Sequence, residues 1–312
     1  SRDAWTGAGW CPHGTGRCCT PTAPHTQFSV LQSTSRIGNL VKKAGESNMS
    51  AIAITDRGNM MGCFHFIKAI KNYNSSISED SEKTQIKPII GCELNVCSNH
   101  KDKSNRDDGY QIVFLAKNKN GYRNLSKMCS IGYTEGFYYV PRVDRSIIEQ
   151  YKSDLIVLSG NMYGEIANKL LNIGESQAED ALVYWKNLFG DDFYLEMMKH
   201  GQEDEDRVNE TLLEFSKSHN VKVVPTNNSF YLNKEDANAH DILLCVKDGE
   251  KQATPIGRGR GFRYGLKNQE YYFKTSNEMK FLFRDYPDFF SNISEIVEKV
   301  ELYELAREVL LP

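Results

Sequence analysis

Short apolar segments alternate with amphipathic segments along most of the chain, and this alternation limits the fold more than any other feature. In residues 34–47, for example, Ile37, Leu40, Val41 and Ala44 recur with the spacing of one helix face. We predict buried strands at residues 51–55, 88–96, 110–116, 155–159, 193–198 and 221–226. We predict helices at residues 34–47, 63–73, 120–133, 164–188 (one or two helices) and 206–218.

The predicted strands are almost continuously apolar, which is typical of parallel sheets that helices cover on both faces. We therefore predict an α/β fold with one parallel sheet. In such folds the loops at the carboxyl ends of the strands carry the chemistry. The residues at these positions are Asp56, Arg57, Glu93, Asn161, His200, Asn227, Asn228 and Phe230. Two roles are open for His200, as a catalytic group or as a cap of the acidic helix start at residues 203–206.

Composition excludes several classes of protein. The 312 residues include 38 Lys and Arg against 41 Asp and Glu, so no overall basic field attracts nucleic acid and any DNA contact must be local. No apolar run approaches the roughly 18 to 20 residues of a membrane helix, and no secretory signal precedes the first helix. We therefore predict a cytoplasmic protein with no membrane partner, whose eight cysteines are reduced thiols rather than a disulfide framework.

Residues 1–24 differ from the rest of the chain because they contain no Val, Ile, Leu, Met or Phe. Such a segment buries very little apolar surface. Cys11, His13, Cys18 and Cys19 supply four soft ligands, so a zinc site is one interpretation, although their spacing is not the paired spacing of structural zinc sites. The other interpretation, which we prefer, is a disordered leader outside the folded domain.

Five short motifs occur in order after this leader. They are ITDRGNM at 54–60, PIIGCE at 88–93, GYRNL at 121–125, EGFYY at 135–139 and NAHDILL at 238–244. Together they resemble the N-terminal polymerase-and-histidinol-phosphatase (PHP) domain of the alpha subunits of bacterial DNA polymerase III. Each motif alone is weak, but five in the same order make the resemblance specific.

The resemblance implies a distorted seven-stranded β/α barrel at the N-terminus of a larger replicative polymerase. Residues 25–270 correspond to the PHP domain, and residues 271–312 correspond to a helical approach to the polymerase palm. The first barrel strand falls near residues 19–25, which contain two prolines and no large apolar side chain. Because proline cannot donate a ladder hydrogen bond, we expect this first strand to be lost.

The resemblance also places a metal centre at the barrel mouth. Three of its ligand positions keep a ligand, namely His25, Asp56 and Glu93. Six do not, namely Ala23, Arg57, Gln111, Asn161, Asn228 and Phe230. Three scattered ligands cannot hold a multinuclear centre, so we expect no cofactor on this chain and no Mn²⁺ or Zn²⁺ in this site. In the family, Mg²⁺ belongs to the polymerase palm.

The permanent cation of Arg57 stands where the family has a metal-binding imidazole. Two interpretations are open for it. Arg57 pairs with Asp56 or Glu93 and substitutes for the metal as a structural counter-charge, or it is merely solvated.

Positive charge and aromatic side chains are interleaved only in residues 257–264. This segment contains Arg258, Arg260, Phe262, Arg263 and Tyr264, separated by glycines. Arginines bind phosphates and aromatic rings stack on bases, so a nucleic-acid or interdomain contact is one interpretation. The other is an ordinary flexible loop before a strand predicted at residues 271–274. Two more helices are predicted at residues 276–283 and 294–310.

Two functions follow from the resemblance. The first is a catalytically silent module of a replicative polymerase, with the rest of the alpha subunit as its partner and with DNA and other replisome subunits bound through the parent protein. The second is a metal-dependent phosphoesterase, acting as a 3′–5′ proofreading exonuclease or a phosphatase. The loss of six ligand positions favours the first.

Overall fold

The computed structural model of the chain describes residues 22–78, 81, 83–257 and 259–305. These contain eight strands: β1 (Thr22–Pro24), β2 (Ala51–Arg57), β3 (Lys87–Cys97), β4 (Tyr110–Ala116), β5 (Arg142–Asp144), β6 (Leu155–Leu158), β7 (Phe193–Met198) and β8 (Val223–Ser229). They also contain ten α-helices: α1 (Ile37–Glu46), α2 (Cys63–Ser75), α3 (Lys119–Thr134), α4 (Arg145–Tyr151), α5 (Glu165–Asn172), α6 (Glu175–Phe189), α7 (Glu203–His219), α8 (Ala237–Asp248), α9 (Ser276–Leu282) and α10 (Phe289–Lys299). The possible zinc ligands of the first 24 residues, Cys11, His13, Cys18 and Cys19, lie outside the described residues.

The strands form one curled sheet in the order β1-β8-β7-β6-β4-β3-β2, and β5 pairs with β3 outside this path. The two ends of the path meet, because the backbone N of Thr26, after β1, donates to Asp56 Oδ1 of β2 over 2.7 Å. The distorted seven-stranded barrel is thus confirmed. The prediction of a wholly parallel sheet is wrong, because β4 runs antiparallel to both β3 and β6. A continuously apolar segment indicates burial on both faces and carries no information about strand direction.

The first strand is short but present, contrary to the prediction that it is lost. Thr22–Pro24 pairs in parallel with Asn227, Asn228 and Ser229 of β8. The next backbone N–H, that of His25, donates to Ser229 O over 2.9 Å. Because β1 has a ladder partner on one side alone, Pro24 occupies an edge position, where its missing N–H is tolerated.

The barrel interior is apolar at the end where the parallel strands begin, and helix α10 closes that end. Ile89 of β3 and Val224 of β8 belong to the same buried cluster as Ile296 of α10. The buried Lys87 Nζ, at the start of β3, donates to Val297 O of α10 over 2.7 Å. Helix α10 therefore packs on the barrel interior.

Helices cover the outside of the sheet in two groups. Helices α1 and α2 pack on β2 and β3 around the fully buried Phe66. Helices α3 to α7 pack on the rest of the sheet around the fully buried Trp185. Helix α10 closes one end of the barrel. The polar side chains lie at the opposite end, where the parallel strands have their carboxyl ends.

In the second half of the chain, two predicted elements are wrong and a third is settled between two alternatives. The segment 164–188 contains two helices, α5 and α6, as one of the two alternatives stated. The strand predicted at residues 271–274 is wrong, since an isolated bridge between Tyr231 and Tyr272 is all that forms there. The helix predicted at residues 294–310 is wrong in its end, because α10 stops at Lys299 and Val300 is extended. The domain boundary at residue 270 stays a prediction.

Candidate functional site

The strand ends bring the retained ligand positions and Arg57 together at one mouth of the barrel. His25 follows β1, Asp56 and Arg57 end β2, and Glu93 lies in β3. Asn161 follows β6 by three residues. All of these except Arg57 are less than one-tenth exposed. The site is therefore a buried polar layer above the apolar interior.

Arg57 and Glu93 form the central contact of the site. Arg57 Nε donates to Glu93 Oε1 over 2.5 Å, and the carboxylate is buried while one-fifth of the arginine side chain is exposed. The other guanidinium nitrogens donate to Gln32 Oε1 (2.6 Å) and Gln111 Oε1 (3.3 Å). Burial alone would lower the pKa of Arg57, but the charge and hydrogen bond of Glu93, together with the nearby Tyr264 and Tyr163, outweigh burial, so the net pKa is raised. Of the two carboxylates considered in the sequence, Glu93 is the one that Arg57 contacts.

Asp56 is held by a different set of groups, which the sequence reasoning missed. Its carboxylate accepts hydrogen bonds from Thr26 N, Thr26 Oγ1 and Ser29 Oγ, each over 2.7 Å. Ser29 Oγ also accepts from Arg57 N over 3.1 Å. The sequence did contain a signal for this contact. Thr26 and Ser29 are polar and follow the first strand, so they lie at the same mouth as Asp56. Both oxygens of Asp56 are thus already engaged by protein donors.

His25 is the third retained position, and its ring is buried. Its Nε2 is hydrogen-bonded to Asn228 Oδ1 (3.0 Å) and lies 3.7 Å from Glu93 Oε2. Burial lowers the pKa of His25 and outweighs the Glu93 carboxylate, which acts in the opposite direction. The ring stacks on Phe230, with centroids 4.8 Å apart and planes 5° apart, and Phe230 stacks in turn on His240. An aromatic column thus occupies the side of the mouth where two ligand positions are lost.

Amide side chains occupy other lost positions. Asn161 Nδ2 lies 3.1 Å from Gln111 Oε1 and 3.4 Å from Glu93 Oε2. Ala23 lies in β1, where its backbone is paired with Asn228. Asn228 faces His25 as described. Four lost positions, Arg57, Gln111, Asn161 and Asn228, are therefore linked by hydrogen bonds to the retained ones, whereas Phe230 contacts His25 by stacking.

The residues present do not fit a metal centre. Within the part of the chain that the structure describes, no group of three or more His, Cys, Asp or Glu side chains could hold a metal ion. Glu93 contacts the Arg57 guanidinium, and both Asp56 oxygens accept hydrogen bonds from hydroxyl or backbone donors. A cation at this mouth would have to displace a charge of the same sign.

A family model decides which family this architecture represents. The PHP domain model matches residues 24–200, which include the mouth residues from His25 to Asn161. The chain belongs to the PHP domain family. The resemblance drawn from the five motifs is confirmed by this match and by the relatives.

Several relatives align with most of the length of this chain. DNA polymerase III subunit alpha of Borreliella burgdorferi is 36% identical over 285 residues, covering 90% of this chain and 23% of that protein. The subunits of the same name from Chlamydia trachomatis and Treponema pallidum are 34% and 35% identical, covering 24% and 22% of those proteins. This chain thus spans about a quarter of the length of these relatives.

Among solved structures, a putative metal-dependent phosphoesterase from Bifidobacterium adolescentis aligns with this PHP domain. The TM-score is 0.47 at 11% identity, over 92% of this chain and 98% of that one.

His200, for which two roles were open, forms a buried pair with a residue of the helix that follows it. Its Nδ1 lies 2.7 Å from Glu205 Oε1, and its backbone N donates to Glu205 Oε2 over 2.6 Å. The ring stacks on Tyr271 with centroids 4.1 Å apart. These contacts link the end of β7 to the first turn of α7, which favours the structural role.

Glu196 is a buried acid of the PHP barrel that the sequence reasoning did not single out. Its Oε2 accepts from Gly160 N over 2.8 Å, and its Oε1 is buried without a hydrogen-bond partner. Burial raises the pKa of Glu196 to about 7, and the Glu93 carboxylate acts in the same direction. The signal was available, because an acid in the middle of the apolar strand at residues 193–198 needs an internal partner.

The arginine-glycine segment 257–264 contacts α8 through Arg263. Arg258 lies outside the described residues, while Arg260 and Phe262 are exposed. Arg263 is buried, with its guanidinium 2.7 and 2.9 Å from the two oxygens of Asp241. Tyr264 lies beside Arg57 in a small pocket of the mouth. The nucleic-acid interpretation of this segment therefore stays a prediction for Arg258, Arg260, Phe262 and Tyr264, whereas Arg263 carries a structural ion pair.

The described cysteines are free and buried. The closest pair, Cys92 and Cys129, has sulfurs 3.6 Å apart, and burial raises the pKa of Cys92. Cys11, Cys18 and Cys19 lie outside the described residues. Across the described residues, no helix is long and apolar enough to cross a bilayer.

Proposed function

We propose that this PHP domain belongs to a replicative DNA polymerase of the DNA polymerase III alpha-subunit type and serves it as a structural module, not as a hydrolase. The observation that carries the proposal is the contact of Arg57 with Glu93. In this proposal the Mg²⁺ and the polymerase chemistry belong to another part of the parent protein. The partners are the rest of that subunit and, through it, DNA and other replisome subunits.

The ion pair has two electrostatic effects that bear on hydrolysis: it repels a metal ion, and it neutralises Glu93. A guanidinium stays charged at every accessible pH, so Arg57 repels a divalent cation placed beside Glu93. Two unit charges 4 Å apart interact by about 4 kcal/mol at an effective dielectric constant of 20, and a divalent ion doubles this. At the same time Arg57 neutralises a buried carboxylate that would otherwise stand uncompensated. Arg57 thus takes over the charge balance that metal ions provide in a hydrolytic centre.

The surrounding network supports a structural role. Thr26 and Ser29 connect the end of β1 to Asp56 of β2, and Arg57 connects β2 to Glu93 of β3. Gln111 of β4 and Asn161 after β6 extend the connection to Glu93. These contacts join residues at the mouth end of β1, β2, β3, β4 and β6. The network therefore ties five strands together at the barrel mouth.

Calorimetric titration of the 312-residue chain with Mn²⁺ and with Zn²⁺ tests the proposal. We expect no stoichiometric binding that depends on Glu93, and no hydrolysis of p-nitrophenyl phosphate or of a single-stranded 3′ end. Each titration is repeated on Glu93→Gln, because binding that persists there belongs to another part of the chain, such as the cysteines of residues 1–24. Robust turnover that Glu93→Ala abolishes would show instead that the domain is a phosphoesterase.

The proposed parent is tested separately. The coding frame around this sequence is expected to continue into a polymerase palm with paired carboxylates that bind two Mg²⁺ ions. A stop codon directly after Pro312, found in the genomic sequence, would contradict this part of the proposal and leave the assignment of Arg57 intact.

A further inference from the structure

Two cysteine sulfurs are in contact inside the PHP domain, between a strand and a helix that covers it. Cys129 Sγ of α3 lies 3.6 Å from Cys92 Sγ of β3, and both thiols are free. Because the S–S bond of a disulfide is about 2.05 Å long, the sulfurs would have to approach each other by about 1.5 Å. Each sulfur is one rotatable bond away from the backbone, so side-chain rotation can supply this movement.

Regular secondary structure holds the two thiols in this position. Cys92 lies in the middle of β3, which is paired with β2 on one side and with β4 on the other. Cys129 lies in α3, and its helix neighbours Leu125 and Met128 belong to the same buried apolar cluster as Cys92. The sulfur contact is therefore a fixed property of the packing of α3 on the sheet.

The two thiols differ in their access to solvent. Cys129 is 8% exposed, whereas Cys92 is fully buried. Tyr133, which follows Cys129 by one turn of α3, is 47% exposed, so the helix reaches the surface next to Cys129. A small oxidant therefore meets Cys129 first. Burial raises the pKa of Cys92, so we expect the reaction of the pair to take minutes to hours.

We propose that Cys92 and Cys129 form a reversible disulfide when the domain meets a peroxide. The Cys129 sulfur attacks one oxygen of hydrogen peroxide, the O–O bond breaks, and Cys129 becomes a sulfenic acid while one water leaves. The Cys92 sulfur then attacks the Cys129 sulfur, the S–O bond breaks, and a second water leaves as the S–S bond forms. The two thiols lose two electrons and two protons, and the peroxide takes up both. Exchange with a reduced dithiol restores the two thiols.

Cys92 connects this chemistry to the barrel mouth. Its S–H is in position to donate to Asp56 O over 3.2 Å or to Asn59 O over 3.4 Å. These two carbonyls flank the turn after β2, in which Gly58 N donates to Glu93 O over 2.8 Å. A disulfide has no S–H proton, so neither carbonyl keeps this donor after oxidation. We therefore expect this turn to open more often in the oxidised domain.

This inference does not rest on the function proposed above. Disulfide formation depends on the packing of α3 against β3, whereas the structural role of the mouth depends on the contact of Arg57 with Glu93. Metal titration and hydrolysis are measured on the reduced chain, and cross-linking is measured on the oxidised chain. Each proposal can therefore fail without the other.

Peptide mapping by mass spectrometry tests the proposed bond. The folded 312-residue chain is treated with hydrogen peroxide, its remaining thiols are alkylated, and it is then digested. We expect a cross-linked pair of peptides that contains Cys92 and Cys129 and that dithiothreitol separates. Cys129→Ala and Cys92→Ala should each lose this pair. The matched control Cys245→Ala, which removes a buried free thiol of α8, should keep it.

Hydrogen exchange measures the consequence of the bond at the barrel mouth. Oxidation of the unaltered chain should accelerate exchange at the Gly58 amide at least about fivefold, because the turn opens more often. The same peroxide treatment of Cys129→Ala should leave this rate unchanged. Each variant is compared before and after treatment, so any effect of the substitution itself cancels.

Several results would overturn the proposal. One is a chain that forms no bond between Cys92 and Cys129 while it is folded and forms it only in urea. Another is a bond from Cys129 to Cys63, which belongs to the other apolar cluster, or a sulfinic acid at Cys129 without any bond. A Cys92–Cys129 bond with unchanged exchange at Gly58 would refute the connection to the barrel mouth.

Discussion

Arg57 Nε lies 2.5 Å from Glu93 Oε1, and the two residues are direct register partners on the neighbouring parallel strands β2 and β3. The ladder fixes both backbones, so little conformational freedom remains to be lost when the side chains meet. Glu93 is buried, and Arg57 also contacts Gln32 and Gln111. One ion pair thus links the strand ladder to the rest of the mouth.

Removal of the Arg57 charge is expected to destabilise the domain strongly. Arg57→Met leaves the Glu93 carboxylate buried without its cation, and breaking a buried pair in this way costs about 3 kcal/mol or more. Urea denaturation at pH 7, followed by circular dichroism, measures the free energy of unfolding. The double variant Arg57→Met/Glu93→Gln should recover at least half of the loss, because no uncompensated charge remains.

The control for this series is Arg207→Met, which removes an exposed arginine on α7. It should change the free energy of unfolding by less than about 0.5 kcal/mol. If Arg57→Met were as stable as this control, Arg57 would be an ordinary surface arginine and not the counter-charge of the mouth.

Glu196 should make stability fall as the pH rises. Its pKa in the folded domain is about 7, above the ordinary value of 4.5, so the folded state binds more protons than the unfolded state between these values. The contribution of the Glu196 proton to the free energy of unfolding is therefore complete below about pH 4.5. It is lost as the pH rises through 7. Between pH 5 and pH 8 the unaltered chain should lose about 2 kcal/mol more than Glu196→Gln does.

Urea denaturation at both pH values measures this difference. Glutamine keeps an acceptor for Gly160 N and cannot ionise, whereas Glu210→Gln changes an exposed acid on α7 as a control. Equal losses for the unaltered chain and Glu196→Gln would mean that Glu196 titrates near its ordinary pKa.

Truncating Ile296 should destabilise the whole barrel and not only its last helix. Ile296 of α10 is 6% exposed and belongs to the interior cluster with Ile89 and Val224. Ile296→Ala should lower the free energy of unfolding by about 3 kcal/mol in a single cooperative transition. Glu298→Ala, on the exposed face of the same helix, should have little effect. A separate early transition for α10 would instead favour an independent segment after residue 270.

Arg263 should order the segment 257–264 through its ion pair with Asp241. Arg263 N donates to Pro255 O (2.9 Å), and Gly257 N donates to Arg263 O (3.1 Å). In Arg263→Ala, hydrogen exchange at both amides should accelerate at least about tenfold, because the guanidinium no longer holds the turn. Arg260→Ala should leave both rates unchanged, and equal acceleration in the two variants would contradict the distinction drawn between them.

The order and type of most elements could be predicted from the sequence, because buried strands and helices leave different apolar spacings. The direction of β4 could not, since a strand buried on both faces has the same pattern either way. The three residues of β1 were misjudged because Pro24 is unfavourable inside a sheet, whereas this strand has a ladder on one side alone.

The sequence likewise predicted only part of the candidate site. Strand ends predicted that Asp56, Glu93 and Asn161 would meet, because the carboxyl ends of parallel strands share one edge. The choice of Glu93 over Asp56 as the partner of Arg57 depends on side-chain reach across one register pair, which spacing along the chain does not encode. The hydroxyl groups that hold Asp56 come from a loop without any repeating pattern.

The pairing of β1 with β8 also constrains the order in which the barrel can assemble. His25 and Asn228, which hydrogen-bond at the end of this ladder, are 203 positions apart in the chain. Contacts of such long range form slowly, because the loop between them must be closed first. During synthesis β1 therefore stays unpaired until the ribosome has made β8, which takes roughly ten seconds or more at about 5 to 20 residues per second. Throughout that interval the growing sheet exposes an unpaired edge to the molecules around it.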